Sequence, residues 1–283
     1  MDVVEDIPEV RKAVALARRR DLAVGFVPTM GALHAGHRSL IDAARRECGY
    51  VVVSIFVNPT QFAPHEDLAR YPRPKHQDLA LCREAGADLV FYPAVETMYP
   101  PGAATYVHVD GLSAIWEGAV RPTHFRGVTT VVMKLLHIVQ PDAAYFGQKD
   151  YQQQVIIRQM VRDLDVPVEI RTGPTIRDAD GLALSSRNAY LSPAERQSGL
   201  CLWQALQRGA AALNSGERSP TKLASLMQQH IRQTPGVELD YAVVVDPWTL
   251  RELQDPQPEM VALVAARVGS TRLIDNAIWR LES

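Results

Sequence analysis

Short apolar runs that alternate with amphipathic stretches constrain the fold of this chain more than any other feature. Between residues 22 and 171, five apolar runs have the length of buried strands, and four stretches of helical periodicity alternate with them. Such alternation predicts an α/β domain in which helices cover both faces of a parallel sheet. The expected strands are Leu22–Val27, Tyr50–Val57, Ala87–Tyr92, Ala143–Phe146 and Val168–Arg171, and the expected helices are Gly36–Cys48, Lys75–Ala85, Gly127–Val139 and Asp150–Leu164.

The pattern changes near Thr175. The loop 175–188 is rich in turn formers, and the residues Ser192-Pro193-Ala194-Glu195 are typical of a capping box with Pro at the first helical position. We therefore predict two domains, residues 1–175 and 176–283, of which the second is a smaller α+β unit. Its expected helices are Pro193–Asn214 and Ser219–Thr234, and its expected strands are Leu239–Val245, Met260–Ala266 and Thr271–Asp275.

Composition and charge exclude several classes of protein. Hydrophobic residues make up 47% of the chain and charged residues 22%, values typical of soluble globular proteins. A formal net charge of −2 without a basic tract argues against nucleic-acid binding. The apolar runs are too short to span a bilayer, and the acidic N-terminus is unlike a signal peptide. The three cysteines form no C-x-x-C pair, which favours a reducing cytoplasm over a disulfide framework or a zinc site.

A His-x-Gly-His segment lies between the first expected strand and the first expected helix. His34 and His37 share one face of that helix start, where free backbone N–H groups and the helix dipole favour anions. Gly36 removes a side chain where a flat group would approach the backbone. This combination favours an adenine nucleotide over two ordinary histidines, and a metal site lacks a clear third ligand nearby.

Further polar segments follow other expected strands. Lys149, in Gly147-Gln148-Lys149-Asp150, is placed to bind a phosphate, while Asp150 is equally a helix N-cap. Two hydroxyls and a guanidinium in Ser185-Ser186-Arg187 suit a triphosphate, although a solvated turn has the same composition. Gln61 and Gln153 offer neutral amides that suit hydroxyl and carboxylate groups. For Asp78 and Glu117, solvated surface charges and site residues both stay open.

Six motifs in order resemble the pantothenate synthetase family, the pantoate–β-alanine ligases. The match extends from about Gly25 to Leu191. The motifs are Pro28–His37, Asn58–Phe62, Tyr71–Arg73, His124–Gly127, Phe146–Asp150 and Asp180–Asn188. His-x-Gly-His alone indicates only a wider nucleotidyltransferase superfamily, whereas the ordered set is specific to these ligases.

The resemblance implies a Rossmann-like N-terminal domain, a C-terminal lid domain and a cytoplasmic homodimer. It implies ATP and Mg²⁺ as cofactors, pantoate and β-alanine as substrates, and no nucleic-acid or membrane partner. The implied catalytic residues are His34, His37, Lys149 and Arg187. The implied ATP-binding residues are Met30, Gly31, Ala32, Leu33, His34, Ala35, Gly36, His37, Gly147, Gln148, Lys149, Asp150, Ile176, Leu184, Ser185, Ser186 and Arg187, and the implied substrate-binding residues are Gln61, Gln153, Asn58 and Tyr71.

Two positions depart from the family pattern. Leu184 replaces the usual Met before Ser-Ser-Arg, an apolar change of similar volume. The magnesium region usually carries adjacent acidic residues, but here it has only Asp78, which is the expected metal contact. One carboxylate suffices where phosphates and water supply the other ligands of Mg²⁺.

The family reaction has two steps. The carboxylate of pantoate attacks the α-phosphate of ATP, giving pantoyl adenylate and pyrophosphate, and the amine of β-alanine then displaces AMP. Two alternatives stay open at this point: another adenylyl- or cytidylyltransferase with a stable nucleotide product, and a nucleotide-binding regulator without catalysis. The glutamine pair argues against the first, and retention of Lys149 and both histidines argues against the second.

Overall fold

A computed structural model describes residues 1–64 and 66–281 of the chain. The chain divides into two compact units. The first comprises Met1–Gln148 and Gln152–Pro174, and the second comprises Lys149–Tyr151 and the residues from Thr175 onward. The domain boundary predicted after residue 175 stays a prediction.

The first unit is built on a six-stranded sheet in which all neighbouring strands run parallel. In chain order its strands are β1 Asp2–Val4, β2 Val24–Thr29, β3 Tyr50–Ile55, β4 Leu89–Phe91, β5 Ala143–Gly147 and β6 Glu169–Gly173. Their order across the sheet is β1-β4-β3-β2-β5-β6, so the direction of winding reverses between β2 and β5. Ligands of such sheets bind outside the carboxyl ends of the strands at this reversal.

Apolar side chains fill both faces of this sheet. On β2, Phe26 belongs to one buried cluster and the next residue, Val27, to another. Because side chains alternate along a strand, this division places a core on each face. The predicted α/β fold with a parallel sheet is therefore confirmed.

Helices flank the strands of the first unit. They are α1 Ile7–Arg18, α2 Ala35–Glu47, α3 Lys75–Glu84, α4 Val95–Met98, α5 Glu117–Val120, α6 His124–Val139 and α7 Tyr151–Asp163, the last starting at a residue of the second unit. Among the residues described, no helix combines the length and apolar character that a membrane crossing requires.

Two elements at the N-terminus were not predicted. Strand β1 has only three residues and lies at the sheet edge, so it has no strand-length apolar run. Helix α1 buries Val10, Val14 and Ala17, which follow helical spacing. Its Pro8 stands in the first turn, where a missing N–H costs nothing.

Up to residue 281, the second unit contains a three-stranded antiparallel sheet and three α-helices. The predicted single helix Pro193–Asn214 is wrong, because the helical hydrogen bonding is interrupted at Leu200. Leu200 keeps right-handed dihedral angles, φ −61° and ψ −19°, so the chain does not turn through left-handed backbone at the interruption. The elements are α8 Pro193–Gly199, α9 Cys201–Asn214, α10 Pro220–Arg232, β7 Val237–Val245, β8 Glu259–Val268 and β9 Thr271–Arg280.

Candidate active site

The loop between β2 and α2 has two consecutive residues with left-handed backbone. Gly31 has φ +82° and Ala32 has φ +49°, and the second conformation costs an L-residue about 1–2 kcal/mol. Asp78 of α3 offsets this cost, because its carboxylate accepts hydrogen bonds from the backbone N–H of Ala32 at 2.9 Å and of Leu33 at 2.7 Å. A Cβ at position 31 would lie 2.9 Å from Asp78 Oδ2, so the contact also requires glycine there.

Asp78 is buried, with 2% of its surface exposed, so its interpretation as a solvated surface charge is wrong. Burial raises the pKa of its carboxyl group, and the two backbone hydrogen bonds oppose that rise. Both oxygens serve the loop. The prediction that Asp78 contacts magnesium stays a prediction, since loop positioning accounts for the residue without a metal.

His34 is the N-cap of α2. Its Nδ1 accepts a hydrogen bond from the backbone N–H of Gly36 at 3.1 Å. His37 completes the arrangement, because its Nδ1 lies 3.3 Å from the backbone N of His34 and accepts from it. Two of the free N–H groups at this helix start are therefore satisfied by imidazoles, in the manner of a capping box.

Capping fixes the protonation pattern of both histidines. A ring nitrogen that accepts a hydrogen bond carries no proton, so each neutral ring of His34 and His37 bears its proton on Nε2. The ring centroids lie 4.2 Å apart. Two Nε2–H donors on adjacent rings suit an anion such as phosphate better than a metal ion, which requires lone pairs.

Gly36 has a structural role besides the predicted one, which stays a prediction. A Cβ at this position would lie 2.9 Å from Cε1 of His34 and 3.0 Å from its Nδ1. The missing side chain therefore makes room for the His34 ring in its capping position.

A buried turn follows β3 and carries Asn58 and Gln61, which are 1% and 7% exposed. Asn58 Nδ2 donates to Gln61 Oε1 at 3.0 Å, and Asn58 Oδ1 accepts from the Tyr99 hydroxyl at 2.9 Å. Gln61 Nε2 lies 2.9 Å from Met30 Sδ, which joins this turn to the β2–α2 loop. Thioether sulfur is a weak acceptor, so a substrate oxygen would replace it at little cost.

Helix α6 packs closely against this turn at Gly127. A Cβ on Gly127 would lie 2.5 Å from the carbonyl oxygen of Thr60 and 2.6 Å from the Cα of Gln61. Asn58 Nδ2 also donates to the Gly127 carbonyl at 3.1 Å. The His124–Gly127 motif therefore positions the Gln61 turn.

His124 and Arg121 hold the main chain of Gln61. His124 Nδ1 lies 3.0 Å from the Gln61 carbonyl oxygen and donates to it, and His124 Nε2 accepts from Arg121 Nη1 at 3.3 Å. Burial, followed by the charge of Arg121, lowers the pKa of His124 to about 4. The ring is consequently neutral at physiological pH, with its proton on Nδ1.

Glu66 and Glu117 balance the charge of Arg121. The guanidinium lies 2.6 Å from Glu66 and 3.4 Å from Glu117. Although burial opposes it, the Arg121 hydrogen bond lowers the pKa of Glu66. Glu117 is 8% exposed, so its interpretation as a solvated charge is wrong as well.

Tyr71 and Gln153 are the other predicted substrate residues. Tyr71 is buried, with its ring edge-on to Phe62 at 5.9 Å between centroids. Gln153 is half-buried on α7. Its neighbour Gln152, which the sequence did not single out, accepts from the Glu117 N–H at 3.0 Å and donates to the Leu112 and Ile115 carbonyls at 2.7 and 2.8 Å.

Gly147 and Gln148 complete the predicted set in the first unit. Gly147 is the last residue of β5, directly beside β2 in the sheet, and Gln148 begins a 3₁₀ turn, Gln148–Asp150. The first unit thus brings Met30, Asn58, Gln61 and the Asp78-bound loop into direct contact and presents the histidine pair at the winding reversal.

In the second unit, the predicted segment 176–187 forms a hairpin followed by a 3₁₀ turn. The Leu184 N–H donates to the Ile176 carbonyl at 2.9 Å. Ser185 caps the turn Ser186–Tyr190 by accepting from the Arg187 N–H at 3.3 Å. Lys149 Nζ lies 3.7 Å from Asp150. The segment is therefore folded through its own hydrogen bonds, and its predicted role in binding a triphosphate stays a prediction.

Sequence reasoning missed Arg121, Gln152 and Asn276, whose side chains donate to main-chain carbonyls of other elements. Arg121 lies three residues before the recognised motif His124–Gly127, and this proximity was a signal that could have found it. Gln152 adjoins the predicted Gln153 on the same helix turn. No local pattern indicated Asn276, whose contact with Lys149 spans 127 positions.

Comparisons with known proteins agree with the motif order. A family model described as Pantoate-beta-alanine ligase matches residues 2–278. The chain is 54% identical over 278 residues to pantothenate synthetase of Moorella thermoacetica, with 98% of each chain covered. The crystal structure of pantothenate synthetase from Thermus thermophilus matches with a TM-score of 0.94 and 49% sequence identity. The match covers 98% of this chain and 99% of that chain. A pantoate-beta-alanine ligase from Francisella tularensis, complexed with Beta-gamma ATP and Beta-alanine, is 33% identical, with a TM-score of 0.80 over 98% of this chain and 97% of that chain.

Proposed function

The chain belongs to the pantoate-beta-alanine ligase family, and on that premise we propose that it condenses pantoate with β-alanine through a pantoyl adenylate. It is an ATP-using acid–amine ligase, and the proposed by-products are AMP and pyrophosphate. The observation that carries the proposal is the match over residues 2–278, which includes every motif discussed above. The geometry supports a division of tasks among those motifs.

The first step brings a carboxylate to a polyanion. Two unit charges at 4 Å repel by roughly 1 kcal/mol in water and by ~4 kcal/mol at an effective dielectric of 20, so cationic groups and hydrogen-bond donors must offset the repulsion. We assign this task to Lys149, Arg187 and the Nε2–H groups of His34 and His37. The His34–His37 pair suits it because capping already presents both protons on Nε2.

The second step requires that the amine of β-alanine be held in position and that water be excluded from the pocket. The attacking group is the β-alanine nitrogen, so no side-chain nucleophile is required. The Gln61 amide donates to the thioether of Met30, a weak acceptor. It is proposed to bind pantoate and to help place β-alanine, and Gln153 is proposed to bind pantoate. Asn58 and Tyr71, both buried, are proposed to shape this part of the site. Exclusion of water protects the acyl adenylate from hydrolysis.

The remaining ATP contacts follow the motif positions. The residues proposed to bind ATP near the first histidine motif are Met30, Gly31, Ala32, Leu33, Ala35 and Gly36. The others proposed are Gly147, Gln148, Lys149, Asp150, Ile176, Leu184, Ser185, Ser186 and Arg187. A turn of Ser185 and Ser186 hydroxyls beside a guanidinium is chemically suited to phosphate.

Magnesium is proposed to enter as the ATP complex. In the described chain no group of three or more His, Cys, Asp or Glu side chains is arranged to hold a metal. Asp78 accepts one backbone hydrogen bond on each oxygen, and each oxygen keeps a second lone pair, so its contact with magnesium is retained as part of this proposal. Phosphate oxygens and water would supply most ligands of the ion, and no catalytic step is derived through it.

We further propose a homodimer that resides in the cytoplasm. All three cysteines are buried as free thiols, which suits a reducing compartment. Light scattering after size-exclusion chromatography tests the dimer directly.

A product assay tests the proposed reaction. Purified protein with ATP, magnesium, pantoate and β-alanine is expected to form pantothenate, AMP and pyrophosphate in equal amounts. Exchange of labelled pyrophosphate into ATP is expected with pantoate alone. Formation of ADP would contradict the adenylate, and a stable nucleotide product without use of β-alanine would indicate a nucleotidyltransferase instead.

A further inference from the structure

Two polar residues are buried in the middle of strand β9. Asp275 is 4% exposed and Asn276 2%, between strand neighbours that include Leu273 of the second unit's core. Burial of an ionised carboxylate is costly unless a partner and hydrogen bonds compensate it. Both side chains should therefore have hydrogen-bond partners inside the protein.

The partner of Asp275 is Arg177 in the 176–187 segment. The two side chains form a bidentate pair with N–O distances of 2.5 and 2.9 Å. Arg177 also donates to the Gly181 carbonyl at 3.2 Å, and its guanidinium lies 3.8 Å from the ring centroid of Trp203. One guanidinium thus joins the first strand of the hairpin to its turn and to β9.

Asn276 makes the second connection. Its Nδ2 donates to the backbone carbonyl of Lys149 at 2.8 Å, and its own N–H donates to Asp275 Oδ1 at 2.8 Å. The Lys149 backbone, the β9 strand and the Arg177 hairpin are therefore connected by consecutive hydrogen bonds within the second unit.

We propose that Asn276, Asp275 and Arg177 are positioning residues that hold Lys149 and the 176–187 segment in the arrangement needed to bind ATP. The inference rests on the proposed assignment of those two segments to ATP. The three side chains are directed to protein groups and the ion pair is internally neutral, so they act through Lys149 and the hairpin rather than on the nucleotide.

The test measures binding of the nonhydrolysable analogue β,γ-methylene-ATP by calorimetry, together with KM for each substrate. Asn276→Ala removes the donor, and Asn276→Asp keeps the size but cannot donate to the Lys149 carbonyl. Asp275→Asn keeps the shape and removes the charge that pairs with Arg177. We expect each variant to raise the Kd of the analogue and the KM of ATP by about tenfold, the effect of one hydrogen bond to a buried partner, with KM for pantoate and β-alanine within about twofold of wild type.

Trp279→Phe is the matched control, because Trp279 lies on the same strand and packs against α9 at Gly209. It is expected to lower Tm while the Kd of the analogue stays within about twofold of wild type. Variants of Asn276 and Asp275 that stay folded and lose stability without a change in the Kd would overturn the proposal. A wild-type protein that binds the analogue but makes no pantothenate would contradict the proposed function and leave the binding comparison valid.

Discussion

The two segments proposed to bind ATP are held by different means. The β2–α2 loop is stabilised by contacts to its own backbone, namely the caps from His34 and His37 and the hydrogen bonds to Asp78. The 176–187 segment is stabilised by a side-chain ion pair with β9, and Lys149 by one amide of the same strand. The first segment is therefore organised partly by residues within it and partly by Asp78, whereas the contacts that hold Arg177 and Lys149 come from residues 98 and 127 positions away.

Removal of the proposed phosphate ligands should give the largest effect in both segments. His37→Ala and Lys149→Ala are each expected to slow pantoate-dependent pyrophosphate exchange by at least about 10²-fold, because each removes a donor to developing negative charge. Rapid single-turnover measurement of the first step checks this.

His37→Gln is the matched control, since its amide nitrogen reaches near the Nε2 position and can donate. It is expected to recover part of the rate lost in His37→Ala. Near-normal exchange in either alanine variant would remove that residue from the mechanism.

Loss of Asp78 tests how far the first segment depends on one carboxylate. Asp78→Ala leaves two backbone N–H groups without their acceptor, which is expected to cost about 2–5 kcal/mol of unfolding free energy and to raise the KM of ATP. Asp78→Asn keeps one acceptor and should lose roughly half as much. Equal stability of the alanine variant and wild type in urea would show that the loop is organised by other contacts.

The buried His124 should give the first unit a pH-dependent stability. The pKa of the ring is near 6.5 in the unfolded chain and about 4 in the folded protein. The stabilisation of the folded state by the neutral ring is therefore complete above pH 6.5 and is lost as pH falls toward 4. Wild type should lose about 2 kcal/mol more than His124→Asn between pH 7 and pH 5. Urea unfolding at both pH values measures the difference.

Asparagine at position 124 keeps a donor near the Gln61 carbonyl and does not titrate, and Glu66 titrates in both proteins. Parallel loss of stability in wild type and variant would mean that His124 is already protonated in the folded state or is not buried.

Substitutions of His34 separate its capping role from its proposed phosphate contact, and they are expected to give the smallest changes in stability. His34→Ala should cost about 1 kcal/mol of stability, whereas His34→Ser restores a capping oxygen and should stay within about 0.5 kcal/mol of wild type. Both variants lack Nε2–H, so the rate of the first step should fall equally in both. A serine variant with normal activity would show that His34 only caps the helix.

Local pattern was sufficient for most of the fold. The strand–helix alternation predicted five of the sheet strands, because buried parallel strands are continuous apolar runs. The polar pair Asp275 and Asn276 ended the last predicted strand at Asp275, although β9 continues to Arg280. Buried polar residues are indistinguishable from solvated ones until their partners are known.

The same limit applies to the site. His34 and His37 were recognisable because the cap and the helix start are adjacent in sequence. The role of Asp78 was not recognisable, since its contacts lie 45 and 46 residues away and depend on how α3 packs. Asn276 acts across 127 residues, which no periodicity encodes. The residues proposed to carry the chemistry were therefore visible in the motifs, while those proposed to position them required the structure.

One isotope experiment tests the adenylate mechanism most directly. Pantoate labelled with ¹⁸O in its carboxylate is supplied with ATP and β-alanine, and the nucleotide and phosphate products are examined by mass spectrometry. If the carboxylate attacks the α-phosphate and AMP then leaves, one ¹⁸O should appear in AMP and none in pyrophosphate. Unlabelled AMP, or ¹⁸O in inorganic phosphate together with ADP, would contradict the account.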